Sequence, residues 1–136
     1  MSGVELIVIG PVGFTDQGLL NTVLGDISGQ MHDVGGVTSY VTTGQPKGID
    51  EYVRIYGAGR DKHVFMFPAG AGAEAQRVRN ESLFAAHSDA LVVVFPGAEK
   101  SPRAALAQRR GRAGVCVVLT GLWPTVSPPH YELRDL

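Results

Sequence analysis

Five short apolar runs, Val4–Ile9, Val37–Thr42 and residues 63–67, 90–95 and 115–119, are each followed by a glycine: Gly10, Gly44, Gly70, Gly97 and Gly121. No other feature of the sequence constrains the fold as much. Successive glycines in this set are 34, 26, 27 and 24 residues apart, close to the length of one strand, one crossover helix and two short loops. The runs are rich in Val and Ile and mostly do not alternate with polar residues. They therefore predict strands buried on both faces of a parallel sheet.

Helices are predicted between the runs. Residues 15–28 carry Leu19, Leu20, Val23, Leu24 and Ile27 at helical spacing, with Thr15 or Asp16 as the N-cap. Residues 49–60 carry Tyr52, Val53, Ile55 and Tyr56, and residues 74–87 turn Val78, Leu83 and Phe84 inward while Arg77 and Glu81 pair at i,i+4. A fourth helix opens at Ser101 with Pro102 in its first turn and runs to about Arg112. Strands alternating with helices imply an α/β fold. The expectation is a Rossmann-like three-layer α/β/α sandwich with a mainly parallel five-stranded sheet in the order 3-2-1-4-5. Residues 1–121 form this domain, and residues 122–136, with Trp123, three prolines and His130, read as an extended C-terminal tail.

Composition narrows the function. The net charge of −1 provides no basic field for non-specific nucleic-acid binding. The longest apolar run, residues 90–96, is too short to span a bilayer, and no basic segment followed by an apolar one marks the N-terminus as an export signal. A cytoplasmic protein without membrane association is expected. The single Cys116 sits in an apolar run and reads as a small core residue. His32, His63, His87 and His130 are scattered without metal-ligand spacing, so neither a metal nor a cofactor is expected. Arg109, Arg110 and Arg112 read as solvated cations at the end of the fourth helix.

Ligands of doubly wound sheets bind outside the carboxyl ends of the strands, where the strand order reverses. Three loops fall there. The first contains Gly10, Pro11 and Gly13 and leads into a helix, so its amides face an anion or simply make a tight turn. It lacks the dinucleotide and P-loop glycine patterns. The second contains Gly44, Lys47, Gly48 and Asp50; its glycines permit close approach of backbone to phosphate and Lys47 adds charge, while Asp50 alternatively complements the helix dipole. The third runs through Pro96, Gly97, Glu99, Lys100, Ser101 and Arg103, joining a glycine turn to a helix N-terminus with two cations. Glu99 is its one carboxylate and the candidate general acid or base, or else a surface partner of Lys100. Arg79 and Asn80 lie early in the third helix, where an arginine orients a phosphate or makes an ion pair between subunits.

The stretch Arg79-Asn80-Glu81-Ser82-Leu83-Phe84, followed by Ser88-Asp89-Ala90-Leu91-Val92-Val93-Val94-Phe95-Pro96-Gly97, resembles the R-N-x-x-M and A-D-L-V-L-A-F-P-G-G segment of YspA/YpsA-type proteins in the SLOG superfamily. That superfamily also includes the DNA-processing protein DprA and the LOG phosphoribohydrolases. Gly44-Gln45-Pro46-Lys47-Gly48-Ile49-Asp50 is similar to its G-G-A-R-G-A-D, with Gln45 and Lys47 replacing glycine and arginine. The resemblance covers roughly residues 4–120. It implies that Gly10, Gly44, Gly48, Asp50, Arg79, Asn80, Pro96 and Gly97 frame a nucleotide-type small molecule, and that the chain forms a homodimer. LOG enzymes close their P-G-G-x-G-T-x-x-E motif with an acid, where this chain has Ala104.

The leading expectation is a module that senses or sequesters a nucleotide or nucleotide-derived ligand. The alternative is a nucleoside 5′-monophosphate phosphoribohydrolase, an N-glycosidase of the LOG type, with Glu99 as its acid. Single-strand DNA binding of the DprA kind is disfavoured by the charge and by the lack of interleaved basic and aromatic residues. A structural subunit remains open, since fold alone does not determine function. Of the 18 glycines in 136 residues, eight, the five after the runs with Gly13, Gly48 and Gly72, are read as marking the edge where backbone meets phosphate, and the other ten are not assigned to it.

Overall fold

A computed structural model describes residues 3–120 and 130–136. Strands β1 (Val4–Ile9), β2 (Val37–Thr42), β3 (His63–Met66), β4 (Leu91–Val94), β5 (Gly114–Leu119) and β6 (Tyr131–Asp135) form one sheet in the order β3-β2-β1-β4-β5-β6. The first five are parallel and match the predicted order, whereas β6 runs antiparallel to β5. Helices α1 (Gln17–Gln30), α2 (Ile49–Ala58), α3 (Ala73–Ala86) and α4 (Pro102–Arg109) supply the crossovers. No helix among the described residues is long and apolar enough to cross a membrane.

Residues of the central strands alternate between two cores. Leu6, Val8 and Val93 pack with the buried side of α1 and α2, while Ile7, Ile9, Val92 and Val94 pack with Leu83 and Phe84 of α3 and with α4. This is why β1 and β4 read as unbroken apolar runs. The edge strand β3 departs from that expectation. Met66 and Phe65 are 51% and 37% exposed, because an edge strand has a neighbour on one side only. Cys116 is partly buried against the second core.

Three other expectations are corrected. The predicted tail contributes a sixth strand: Tyr131 and Leu133 pack toward the first core, and their polar neighbours point away. That period-two pattern is legible in Tyr131-Glu132-Leu133-Arg134, although the adjacent prolines disguise it; Gly121 and residues 122–129 lie outside the described residues. Val78 is 49% exposed rather than inward. Asn80, Leu83 and Phe84 define the buried stripe of α3, and a residue two positions away is turned by about 200°. Finally, α4 ends at Arg109, and Arg112 is no solvated cation. Its guanidinium donates to the carbonyls of Phe84, His87 and Ala90 at 3.1, 2.7 and 3.0 Å, closing the end of α3.

Below the cores, Ser39 donates to Glu5 at 2.6 Å and His87 Nδ1 lies 3.0 Å from the other carboxylate oxygen. Burial pushes the Glu5 carboxyl up, but the hydrogen bonds from Ser39 and His87 and the charge on His87 outweigh it and hold Glu5 below its ordinary value. The folded protein thus keeps Glu5 ionised at a pH where the unfolded chain has taken up a proton. The resulting stability is present above about pH 4.3 and is lost as pH falls further.

Two outcomes are expected. In melting curves from pH 7 to pH 3, the advantage of wild type over Glu5→Gln should shrink on acidification; a constant gap would exclude the linkage. Gly48 has φ 74° and ψ −148°, and a Cβ there would stand 2.2 Å from the Val12 carbonyl oxygen. Gly48→Ala should therefore lower stability in urea by about 3 kcal/mol. Gly13→Ala, whose Cβ would meet nothing within 4 Å, should stay within about 0.5 kcal/mol of wild type.

Candidate functional site

The loops after β1 and β2 and the first turns of α3 and α4 meet at the carboxyl ends of the strands. There they enclose a cavity of about 210 Å³. It opens beside β1, whose neighbours are β2 and β4, the reversal point at which such sheets bind ligands.

Each loop has a local reason for its shape. Ser101 caps α4, accepting from the Ala104 amide at 3.2 Å, and Pro102 occupies the first turn, where its missing N–H costs nothing. This puts Arg103 in the opening turn of α4, facing the cavity. After β2 the chain is organised by Asp50, which is only 3% exposed. Its Oδ2 accepts from the Thr43 hydroxyl and from the Gln45 amide, the latter at 3.1 Å. From α3, Arg79 donates to the Phe67 carbonyl at 3.2 Å and to Asn80 Oδ1 at 2.7 Å. Those two bonds fix the arginine at the cavity wall.

The electrostatics of this wall are unusual. Asp50 Oδ1 and Arg103 Nη1 are both buried with no hydrogen-bond partner, a condition that normally carries a penalty of about 1–3 kcal/mol or more per group. Burial pushes Arg103 below its ordinary value, with the Asp50 carboxylate opposing the shift and Arg79 adding to it. Arg79 is lowered by burial too, again against the pull of Asp50. Both guanidiniums remain charged. With the exposed Lys47 at the rim, three cations therefore line a cavity to which one carboxylate contributes. The arrangement accepts an anion at the arginines and a hydrogen-bond donor at Asp50 Oδ1.

Among the sequence-predicted ligand residues, the structure gathers Gly10, Pro11, Lys47, Asp50, Arg79, Asn80, Ser101 and Arg103 around this cavity. The others lie elsewhere. Gly13 and Pro96 border a shallow hollow on the other side of Pro11. Gly44 and Gly97 have positive φ, and their α-carbons abut Met66 and the Pro11 ring respectively. Gly48 admits the Val12 carbonyl, and Lys100 is exposed outside the lining. These glycines thus serve loop-on-loop packing more than approach of backbone to a ligand. The candidate acid Glu99 also lies outside the lining, with its carboxylate accepting from its own loop's Gly97 amide at 2.7 Å.

Val12, Thr43, Gln45, Ile49, Gln76 and Pro102 complete the wall. Gln76 was missed by sequence reasoning, although its spacing of three and four from Arg79 and Asn80 places all three on one helical face. Among the described residues, no three His, Cys, Asp or Glu side chains are grouped so as to hold a metal ion.

The unpartnered guanidinium gives a prediction. Arg103→Met removes a buried guanidinium whose Nη1 has no hydrogen-bond partner, along with both its attraction to Asp50 and its repulsion from Arg79, so the ligand-free protein should melt close to the wild-type temperature. Asp50→Ala, which strips two hydrogen bonds from the loop after β2, should destabilise by about 2 kcal/mol. Scanning calorimetry of the ligand-free variants decides it: a large loss of stability in Arg103→Met would mean that the arginine is a structural group.

Comparisons of the chain with protein-family models, with curated proteins and with solved structures found no match, so a functional reading rests on the residues of this cavity.

Proposed function

We propose that the protein is a cytoplasmic binding module for a nucleotide or nucleotide-derived ligand, held by its phosphate at Arg79, Arg103 and Lys47. The observation that carries this reading is the pair of buried, unpartnered polar atoms in one cavity, Arg103 Nη1 and Asp50 Oδ1. An anion alone would satisfy the arginine and be repelled by the carboxylate. A phosphorylated sugar satisfies both, because its hydroxyl donates to Asp50 while its phosphate oxygens accept from the guanidiniums. The N-terminal end of α4, capped by Ser101, adds a favourable dipole for the same charge. The resemblance to the SLOG superfamily points in the same direction, through Asp50, Arg79 and Asn80.

The phosphoribohydrolase alternative has less support. Cleavage of an N-glycosidic bond needs an acid placed at the leaving base. Glu99 is engaged with the Gly97 amide outside the cavity, and the position of the family's closing acid is Ala104.

Thermal-shift and calorimetric titration with nucleoside monophosphates, ADP-ribose, NAD and cyclic nucleotides tests the reading. A ligand at a hundredfold excess over its Kd should stabilise the protein by about 2.7 kcal/mol. Arg79→Gln combined with Arg103→Gln should abolish that shift. If no compound in the panel shifts wild type, nucleotide binding is excluded.

A further inference from the structure

A second cavity, of about 330 Å³, runs between α3 and α4 and shares Gln76, Asn80 and Pro102 with the polar one. The two adjoin at these shared residues, but they differ in chemistry. Ala73, Gln76 and Asn80 form a stripe along one face of α3 at spacings of three and four, and Pro102 and Leu106 lie four apart on α4. The Pro102 ring, the Leu106 side chain and the Ala73 methyl give this groove apolar surfaces, and the side-chain amides of Gln76 and Asn80 stand where it joins the polar cavity.

Of the three charged residues that line the groove, Arg77 and Glu81 are paired within the protein and Arg109 is exposed at its end. Arg77 pairs with Glu74 at 2.5 Å and with Glu81 at 3.2 Å, and Glu81 lies 3.8 Å from Arg110. In the polar cavity, by contrast, Arg103 presents a nitrogen without a partner. A ligand spanning both spaces meets a gradient, from the arginines of the polar cavity, one with an unpartnered nitrogen, to apolar surface with amide edges and paired charges at the other end. The sugar and phosphate fit the first end. A flat, neutral heterocycle with polar edges fits the second.

From this shared wall, and resting on the nucleotide reading above, we infer that the groove between α3 and α4 is the base-binding subsite, with the ligand's heterocycle between Ala73, Pro102 and Leu106 and its polar edge toward Gln76 and Asn80. Affinity is then divided between the two spaces: the cavity selects the ribosyl phosphate, and the groove selects the base.

Isothermal titration of wild type and Ala73→Trp with ribose 5-phosphate and with a purine and a pyrimidine nucleoside monophosphate separates the two claims. Ala73 is exposed in the first turn of α3, so the indole fills the groove without entering the core; melting curves check the fold, and Arg109→Trp, at an exposed residue that lines the groove and not the polar cavity, provides a second blocking variant. At least one nucleoside monophosphate should bind wild type about tenfold or more tightly than ribose 5-phosphate. Blocking the groove should erase that advantage while leaving ribose 5-phosphate within about twofold. Equal binding of ribose 5-phosphate and both nucleotides to wild type, or an equal loss for all three in both variants, overturns the base subsite and leaves the phosphate site standing. Absence of binding by any of them to wild type overturns both.

Discussion

Asp50 is the group on which the site depends. A carboxylate at the start of α2 is favoured by the helix dipole, yet this one is almost completely buried and so must be held by hydrogen bonds as well. Thr43 and the Gln45 amide supply them through one oxygen. The same residue therefore closes the loop after β2, anchors it to the start of α2, and supplies negative charge facing Arg79 and Arg103. Without that charge, two half-buried guanidiniums would face each other across a cavity with only dipoles to oppose their repulsion.

The cations converge because of topology. In a doubly wound parallel sheet every crossover helix begins at the carboxyl edge of a strand, so the first turns of α3 and α4 must open on the same side as the loops after β1 and β2. Arg79 and Arg103, 24 residues apart in sequence, become neighbours for that reason. The two apolar cores, one on each face of the sheet, supply stability that does not depend on this edge. Arg112 reinforces this remote region by satisfying three carbonyls at the end of α3, so that the helix carrying Arg79 is fixed at its far end. Two of the three buried, unpartnered side-chain atoms among the described residues, Asp50 Oδ1 and Arg103 Nη1, lie at this cavity.

Much of this was legible from residue patterns. Buried parallel strands announce themselves as unbroken Val and Ile runs, and the regular spacing of glycines after them gave the order and number of the crossovers. Ser101 followed by Pro102 placed the start of α4 correctly, and Asp16 caps α1 through the Leu19 amide. The sixth strand was obscured because prolines near Tyr131 outweighed a short alternating pattern. Arg112 was misread because a cation beyond a helix end resembles a dipole partner in sequence, while the carbonyls it satisfies belong to residues more than twenty positions away. Gly10, Gly44 and Gly97 follow β1, β2 and β4 as expected, but what a glycine in these loops touches depends on the facing loop: Gly48 admits a carbonyl of the neighbouring turn.

The sequence by itself determined the fold class, the five parallel strands, their crossovers and the edge at which a ligand would bind, because these follow from local periodicity and from chain-handedness rules that hold for any α/β chain. Tertiary structure alone decided which residues on that edge share a cavity. It set Asp50, Arg79 and Arg103 together, turned Glu99 back onto the amide of its own loop, and joined the polar cavity to the apolar groove between α3 and α4. The physical reason is that side-chain convergence depends on how helices pack across a twisted sheet, through contacts remote in sequence that leave no periodic trace.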